Sequence, residues 1–324
     1  MRVLRVALLV SALAVLPAAG QQDQPAKADE SIQVEVALVN VYFTVHDRHG
    51  ALVGSLNKDD FTVFENGTQQ TIKAFNRETD VPVTLGLLID VSRSQENVLD
   101  VTKEAASEFF GTVLRPKDLA FLISFGPEAE LLQDYTSSPK LLRAGLKGLH
   151  VESDFGGGVM ASGPVPTIYQ QKGTVLYDAV YLAAHDQLKG QVGRKALMLI
   201  TDGDDEGSHY KIQDSIEAAQ KADTIIYSIQ YVDPRYHGFM SGGDSALRRM
   251  SEETGGHVFR VSRKEPLSMV FQEIQDELRS QYQLAYAPAN SAKDGTFRHI
   301  EIRTSNKEYK VQARKGYYAM PASE

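Results

Sequence analysis

Five residues with oxygen-bearing side chains lie where they could bind one metal ion together. Each follows a predicted buried strand or begins a predicted helix, so each is expected at the edge of a sheet. Carboxylate and hydroxyl oxygens are hard ligands, which favour Mg²⁺, with Ca²⁺ or Mn²⁺ as alternatives, over Zn²⁺. The five residues are Asp90, Ser92, Ser94, Thr174 and Asp202.

The charge of this set favours binding over catalysis. Asp90 and Asp202 would balance a divalent cation, and the three hydroxyl groups are neutral donors. The cation could therefore attract a further carboxylate from a protein or peptide partner. A metal-assisted hydrolase would also need a general base, and the sequence places no histidine beside the set. We expect a binding protein and no enzyme, with a hydrolase as the less favoured reading.

Alternating apolar strands and amphipathic helices would position these residues. The alternation predicts an α/β fold with a Rossmann-like, doubly wound, mostly parallel sheet. Ligands of such sheets bind outside the carboxyl ends of the strands, where Asp90 and Asp202 are expected. Strands are predicted at 83–89, 119–125, 196–200, 224–231 and 257–261, and helices at 98–113, 141–149, 174–188, 212–222, 245–254 and 267–278.

Two β-rich segments, 31–80 and 281–324, flank the α/β region, which spans 81–280. Both alternate apolar and polar residues, the pattern of a half-buried strand. Asn66-Gly67 predicts a hairpin turn between strands at 61–64 and 71–75. Because the ends of an inserted domain often lie close together, the two segments could pair into one small β sandwich.

The amino terminus predicts export. Arg2 and Arg5 precede a short apolar run and the small residues of Pro17-Ala18-Ala19-Gly20, which indicates a signal peptide at 1–20. Residues 21–30 are polar and are expected to form a disordered leader. No later stretch is long and apolar enough to span a membrane. The mature protein is expected to be periplasmic or secreted.

Composition excludes several classes of protein and partner. The 324-residue chain has no cysteine, so it forms no disulfide and carries no lipid-modified cysteine. Without Arg2 and Arg5, 32 basic residues face 42 acidic ones, a net charge of about −10, which argues against nucleic acid as a partner. The glycine- and proline-rich segment 153–173 lacks periodicity and is expected to be a functional or a mobile loop.

The motifs resemble those of von Willebrand factor type A (VWA) domains. Asp90-Val91-Ser92-Arg93-Ser94 matches Asp-x-Ser-x-Ser, and the segments beginning at Gly173 and Thr201 are similar to the family's threonine and Thr-Asp-Gly segments. The resemblance covers roughly 81–280 and implies the strand order 3-2-1-4-5-6. It also implies a metal-ion-dependent adhesion site, with Ser92, Ser94 and Thr174 touching the metal and the aspartates acting directly or through water.

The flanking segments resemble a narrower group of proteins, and three of the expectations have alternatives. Asp60-Phe61 and the segment 314–318 resemble the exported VWA-related proteins of Acidobacteria. Ser94 could instead cap a helix. The acidic residues 204–206 could form a solvated loop, a second calcium site or a negatively charged surface that attracts cations to the site. The chain could also be a structural envelope component whose β sandwich contacts the partner.

Overall fold

The computed structural model describes residues 38–77, 81–151, 173–231 and 242–321. The predicted signal peptide, the leader and residues 31–37 lie outside the described residues, as does the predicted loop 153–173 except for Gly173. Within the described ranges, no helix is long and apolar enough to cross a membrane.

A six-stranded sheet forms the centre of the α/β region and confirms the predicted fold class. Five strands are parallel, and the sixth, β7, pairs antiparallel with β6 at one edge. The order across the sheet is β10-β9-β8-β5-β6-β7, which is the order 3-2-1-4-5-6 in sequence terms. The strands are β5 (Val83–Asp90), β6 (Leu119–Phe125), β7 (Ala129–Thr136), β8 (Arg194–Thr201), β9 (Thr224–Gln230) and β10 (Val258–Arg260).

Helices cover both faces of this sheet because its strands are apolar on both sides. Alternate residues of β5 pack against α1, α2 and α6 on one face, and Leu88 packs with α3, α4 and α5 on the other. The central strands β5 and β8 are buried along their whole length, apart from Lys195. The helices are α1 (Leu99–Val113), α2 (Pro139–Gly148), α3 (Leu176–Leu182), α4 (Ile212–Lys221), α5 (Gly242–Thr254) and α6 (Leu267–Arg279).

Strands from both flanks interleave in two four-stranded antiparallel sheets, as the sequence suggested. One sheet has the order β13-β1-β11-β4 and the other β14-β12-β2-β3. Their inner faces share one apolar core, in which Phe43 of the first sheet meets Phe61 of the second at 5.0 Å between ring centroids. The strands are β1 (Val39–His46), β2 (Phe61–Glu65), β3 (Thr68–Gln70), β4 (Ile72–Asn76), β11 (Tyr282–Tyr286), β12 (Phe297–Thr304), β13 (Lys310–Ala313) and β14 (Gly316–Tyr318).

Three local features differ from the sequence prediction. Strand β7 was not predicted, because it is a half-exposed edge strand without a continuous apolar run. The turn at Asn66-Gly67 exists, but β2 pairs there with Thr68–Gln70, while Ile72–Asn76 crosses to the other sheet and pairs with β11. The helix predicted at 174–188 begins at Leu176, and its last six residues, Ala183–Leu188, form a π-helical turn.

A buried polar contact lies where the sandwich meets the α/β region. His257 Nε2 is 3.6 Å from Glu277 Oε1 on α6, and Gln312 of β13 contacts both side chains. Burial raises the pKa of Glu277 to about 8 and lowers the pKa of His257 to about 4. Desolvation is the largest cause of both shifts, so near neutral pH the two side chains form an uncharged contact and no ion pair.

Replacing Glu277 by Gln should flatten the dependence of stability on pH. A carboxyl whose pKa is raised from 4.5 to about 8 by folding contributes stability that is lost as the pH rises through the folded value. His257 acts in the opposite sense, but only below its ordinary pKa of 6.5. Urea unfolding in EDTA between about pH 6.5 and pH 9 should show a smaller loss of stability in Glu277→Gln than in the wild type. Equal losses in the two proteins would contradict the assignment.

Candidate metal site

Two neighbouring parallel strands bring the predicted aspartates to the same edge of the sheet. Ile89 of β5 lies opposite Ile200 of β8, so Asp90, which ends β5, stands beside the residues that end β8. Asp202 follows directly after β8. Both carboxylates are buried, with exposed fractions of 1% for Asp90 and 3% for Asp202.

A chain of hydrogen bonds connects four of the five predicted residues. Asp90 Oδ1 accepts from the Ser92 backbone at 2.8 Å, and the Ser92 and Ser94 hydroxyl oxygens are 3.0 Å apart. Ser94 Oγ then donates to Asp202 Oδ2 at 2.5 Å. Ser92 precedes a 3₁₀ turn, Arg93–Gln95, which folds the two serines back toward the carboxylates. The structure therefore brings Asp90, Ser92, Ser94 and Asp202 together.

Thr174 lies at the same edge, although its side chain makes no hydrogen bond to the other four in the described part of the chain. Its carbonyl accepts from the Glu206 backbone at 3.0 Å, in the loop that follows Asp202. The next residue, Val175, donates to Gly126 O at 2.8 Å, in the loop that follows β6. These two backbone bonds hold the start of α3 between the loops that leave the sheet.

Two further residues hold the carboxylates, and neither was predicted from the sequence to do so. Thr201 Oγ1 donates to Asp90 Oδ2 at 2.6 Å and itself accepts from the Gly203 backbone at 3.0 Å. Gln95 Nε2 donates to Asp202 Oδ2 at 3.1 Å. Thr201 is part of the Thr-Asp-Gly segment, but only the strand register shows its contact with Asp90. For Gln95, which follows the two serines, the sequence gives no indication of a contact with Asp202.

Gly203 turns the chain sharply after Asp202. Its φ of +95° is in the region that favours glycine, and a Cβ there would come within 2.8 Å of the Gly243 carbonyl oxygen. This conformation lets the Gly203 backbone N–H reach Thr201, so the glycine supports the Thr201–Asp90 contact. Any side chain at this position would strain the loop that carries Asp202.

The electrostatics of the site fit a cation. Burial, together with the negative charge of Asp202, raises the pKa of Asp90 to about 7. The hydrogen-bond donors to the two carboxylates, from Ser92, Ser94, Gln95, Thr201 and Asp204, are all neutral groups. A divalent cation would relieve the repulsion between two buried carboxylates that neutral donors leave uncompensated. The residues present therefore fit the metal that the sequence motif implies.

Asp205, the middle residue of the acidic segment 204–206, has a structural role. Asp205 Oδ1 accepts from the Tyr177 backbone in the first turn of α3 at 3.1 Å and from Ser208 Oγ at 2.5 Å. Burial and the charge of Asp202 raise the pKa of Asp204. In the described ranges, no group of three or more His, Cys, Asp or Glu side chains is spaced to hold a metal; the predicted set contains only two.

The family comparison matches the second part of the α/β region. Residues 165–276 match the model of the von Willebrand factor type A domain. The match to the VWA domain therefore covers this part of the chain and not its whole length. The match includes Thr174 and Asp202 and begins after Asp90, Ser92 and Ser94. No curated protein sequence matches the chain.

Several solved structures are similar to the chain at low identity. They include an aerotolerance-related membrane protein from Bacteroides fragilis (16% identity, 60% of this chain and 98% of that chain, TM-score 0.44). Another is the vWF domain of the type V pili tip protein Mfa5 from Porphyromonas gingivalis (13%, 60% and 94%, 0.45). A third is proximal thread matrix protein 1 from the mussel byssus, with a zinc-occupied MIDAS motif (15%, 66% and 49%, 0.46). Identities this low transfer no residue role or ligand to this chain.

Thr201→Val should destabilise the metal-free protein. The substitution keeps the side-chain shape but leaves the buried Asp90 Oδ2 without its hydroxyl donor, which costs about 1–3 kcal/mol. Thr102→Val is the matched control, since Thr102 is also buried but donates to the Val98 carbonyl at 2.9 Å. Urea unfolding in EDTA should show a larger loss for Thr201→Val than for Thr102→Val. Equal losses of stability in the two variants would mean that the Thr201–Asp90 contact contributes no more than the Thr102 hydrogen bond does.

Proposed function

We propose that this protein is an exported binding protein whose VWA domain captures an acidic group of a protein or peptide partner through a divalent cation. Asp90, Ser92, Ser94, Thr174 and Asp202 would hold the cation, with Mg²⁺ favoured and Ca²⁺ or Mn²⁺ as alternatives. When bound, the cation supplies an electrophilic coordination position for the partner's carboxylate. Export rests on the predicted signal peptide at 1–20 and places the protein in the periplasm or outside the cell.

One observation carries the proposal: Asp90 and Asp202 are buried together and connected through Ser92 and Ser94. The bridge runs from Asp90 through the serine pair, 3.0 Å apart, to Asp202 at 2.5 Å. Four residues with oxygen-bearing side chains, up to 112 positions apart in the sequence, are thus joined in one chain of hydrogen bonds. Two carboxylates and neutral hydroxyls suit a hard divalent cation.

The surroundings favour binding over hydrolysis. Hydrolysis would need a general base within reach of a bound substrate, and within the described residues no hydrogen bond or ion pair joins a histidine to either aspartate. The two aspartates would both be needed to hold the cation, so we assign them to fixing charge and orientation and not to accepting a proton. We therefore propose a binding role and no enzymatic activity.

Calorimetric titration of the purified full chain with Mg²⁺, Mn²⁺ and Ca²⁺ tests the metal site. We expect one cation per chain, and a loss of affinity of at least about 10-fold in Asp202→Asn, because even changes to groups that only support a metal ligand cost about 10–100-fold. Asp100→Asn is the control, since Asp100 is an exposed residue of α1. Failure of the wild type to bind any of the three ions would overturn the proposal, as would equal binding by Asp202→Asn.

Binding to an acidic peptide tests the second half of the proposal. A glutamate-rich peptide immobilised on a sensor should bind the chain in Mg²⁺, and the matched glutamine-rich peptide should bind at least about 10-fold more weakly, a difference of about 1.4 kcal/mol. EDTA and Asp202→Asn should each abolish the difference between the peptides. Binding that persists in EDTA would contradict metal-dependent capture and favour contacts through the sandwich.

A further inference from the structure

Gln95 is a buried residue whose side chain contacts the candidate metal site directly. It ends the 3₁₀ turn that follows Ser92, and only 2% of it is exposed. Its side-chain amide donates to Asp202 Oδ2 at 3.1 Å. A buried glutamine amide needs hydrogen-bond partners, because burial without them is costly. The partner here is a carboxylate of the proposed metal set.

Gln95 and Ser94 approach the same oxygen of Asp202. Ser94 Oγ donates to Oδ2 at 2.5 Å, while Oδ1 accepts from the Asp204 backbone at 3.3 Å. Two side-chain donors on one oxygen and a backbone donor on the other fix the rotation of the carboxylate. Of the two side-chain donors, Ser94 would also have to serve as a ligand. Gln95 alone is free to keep holding Asp202 after a cation binds.

The local backbone does not need the Gln95 side chain. The Gln95 backbone N–H donates to Ser92 O at 3.0 Å, and its carbonyl accepts from Val98 at 3.0 Å. The turn is therefore closed by main-chain bonds that any residue at position 95 could make. A purely structural role for the turn would not require an amide directed at Asp202.

We propose that Gln95 is a positioning residue that orients the Asp202 carboxylate for the cation and so sets the affinity of the site. This inference rests on the proposed metal site and assigns a role to a residue outside the five proposed ligands. Groups that hydrogen-bond to a metal ligand fix its orientation, and their removal weakens metal affinity by about 10–100-fold. Gln95 acts through Asp202 and does not itself touch the cation.

The experiment compares the metal affinity of two glutamine variants. Gln95→Met keeps the length of the side chain and removes the amide. Gln220→Met is the matched control, because Gln220 is also buried (4% exposed) and its amide donates at 3.1 Å, but to Glu253 O. Mn²⁺ affinity is measured by calorimetry, and the melting temperature is measured in EDTA. We expect Gln95→Met to weaken Mn²⁺ binding by about 10-fold or more and Gln220→Met to leave it unchanged.

The outcomes separate this inference from the proposed function. If the wild type binds Mn²⁺ and Gln95→Met binds it equally well, the inference is wrong and the metal site stands. If the wild type binds none of Mg²⁺, Mn²⁺ and Ca²⁺, the proposed metal site itself is wrong, and the inference about Gln95 is wrong with it. Should Gln95→Met not fold, Gln95→Asn decides. It keeps a neutral amide but is one methylene shorter, so its amide should no longer hold Asp202 Oδ2 and Mn²⁺ binding should weaken, whereas an affinity equal to that of the wild type would overturn the inference.

Discussion

The burial of two carboxylates side by side is the constraint around which this end of the molecule is arranged. Asp90 and Asp202 repel each other where both are almost fully buried, and burial with that repulsion raises the pKa of Asp90 to about 7. Neutral donors reduce the repulsion without removing it. The parallel pairing of β5 with β8, the turn at Ser92 and the positive φ of Gly203 all hold donors against these oxygens.

The remaining structure keeps this edge of the sheet rigid. Helices on both faces bury β5 and β8, so the strand ends cannot separate without exposing apolar surface. At the sandwich junction, burial disfavours the charged forms of Glu277 and His257. The two side chains therefore form an uncharged pair. Burial thus raises the pKa of a carboxyl group in two places, at Asp90 on the sheet edge and at Glu277 at the junction.

Sequence periodicity could predict five strands of the sheet and place Asp90 and Asp202 at its edge, because buried strands have continuous apolar runs and polar residues at their ends are conspicuous. The strand order was implied by the resemblance to VWA domains and did not follow from periodicity. Periodicity could not predict β7, because residues on both faces of this strand are exposed or partly exposed and show no clear alternation of apolar and polar side chains. Nor could it find the Gln95 and Thr201 contacts, since both depend on which atoms the three-dimensional register brings within 3.1 Å and 2.6 Å of the carboxylates. The crossing of β4 to the second sheet was missed because the hairpin signal at Asn66-Gly67 is local.

The interleaving of the two flanks has a consequence for how the chain is made. β1 has β11 and β13 as its neighbours, and the Tyr282 hydroxyl donates to the Val53 carbonyl, which is 229 positions away from it in the sequence. During synthesis, the first strands therefore leave the ribosome long before their partners exist. Pairing over so long a separation is slow, so β1 and β4 cannot pair with β11 until that strand has been made, whereas β2 and β3 can pair locally. A chain that ended before β11 would present these apolar strands as open edges, which promote aggregation.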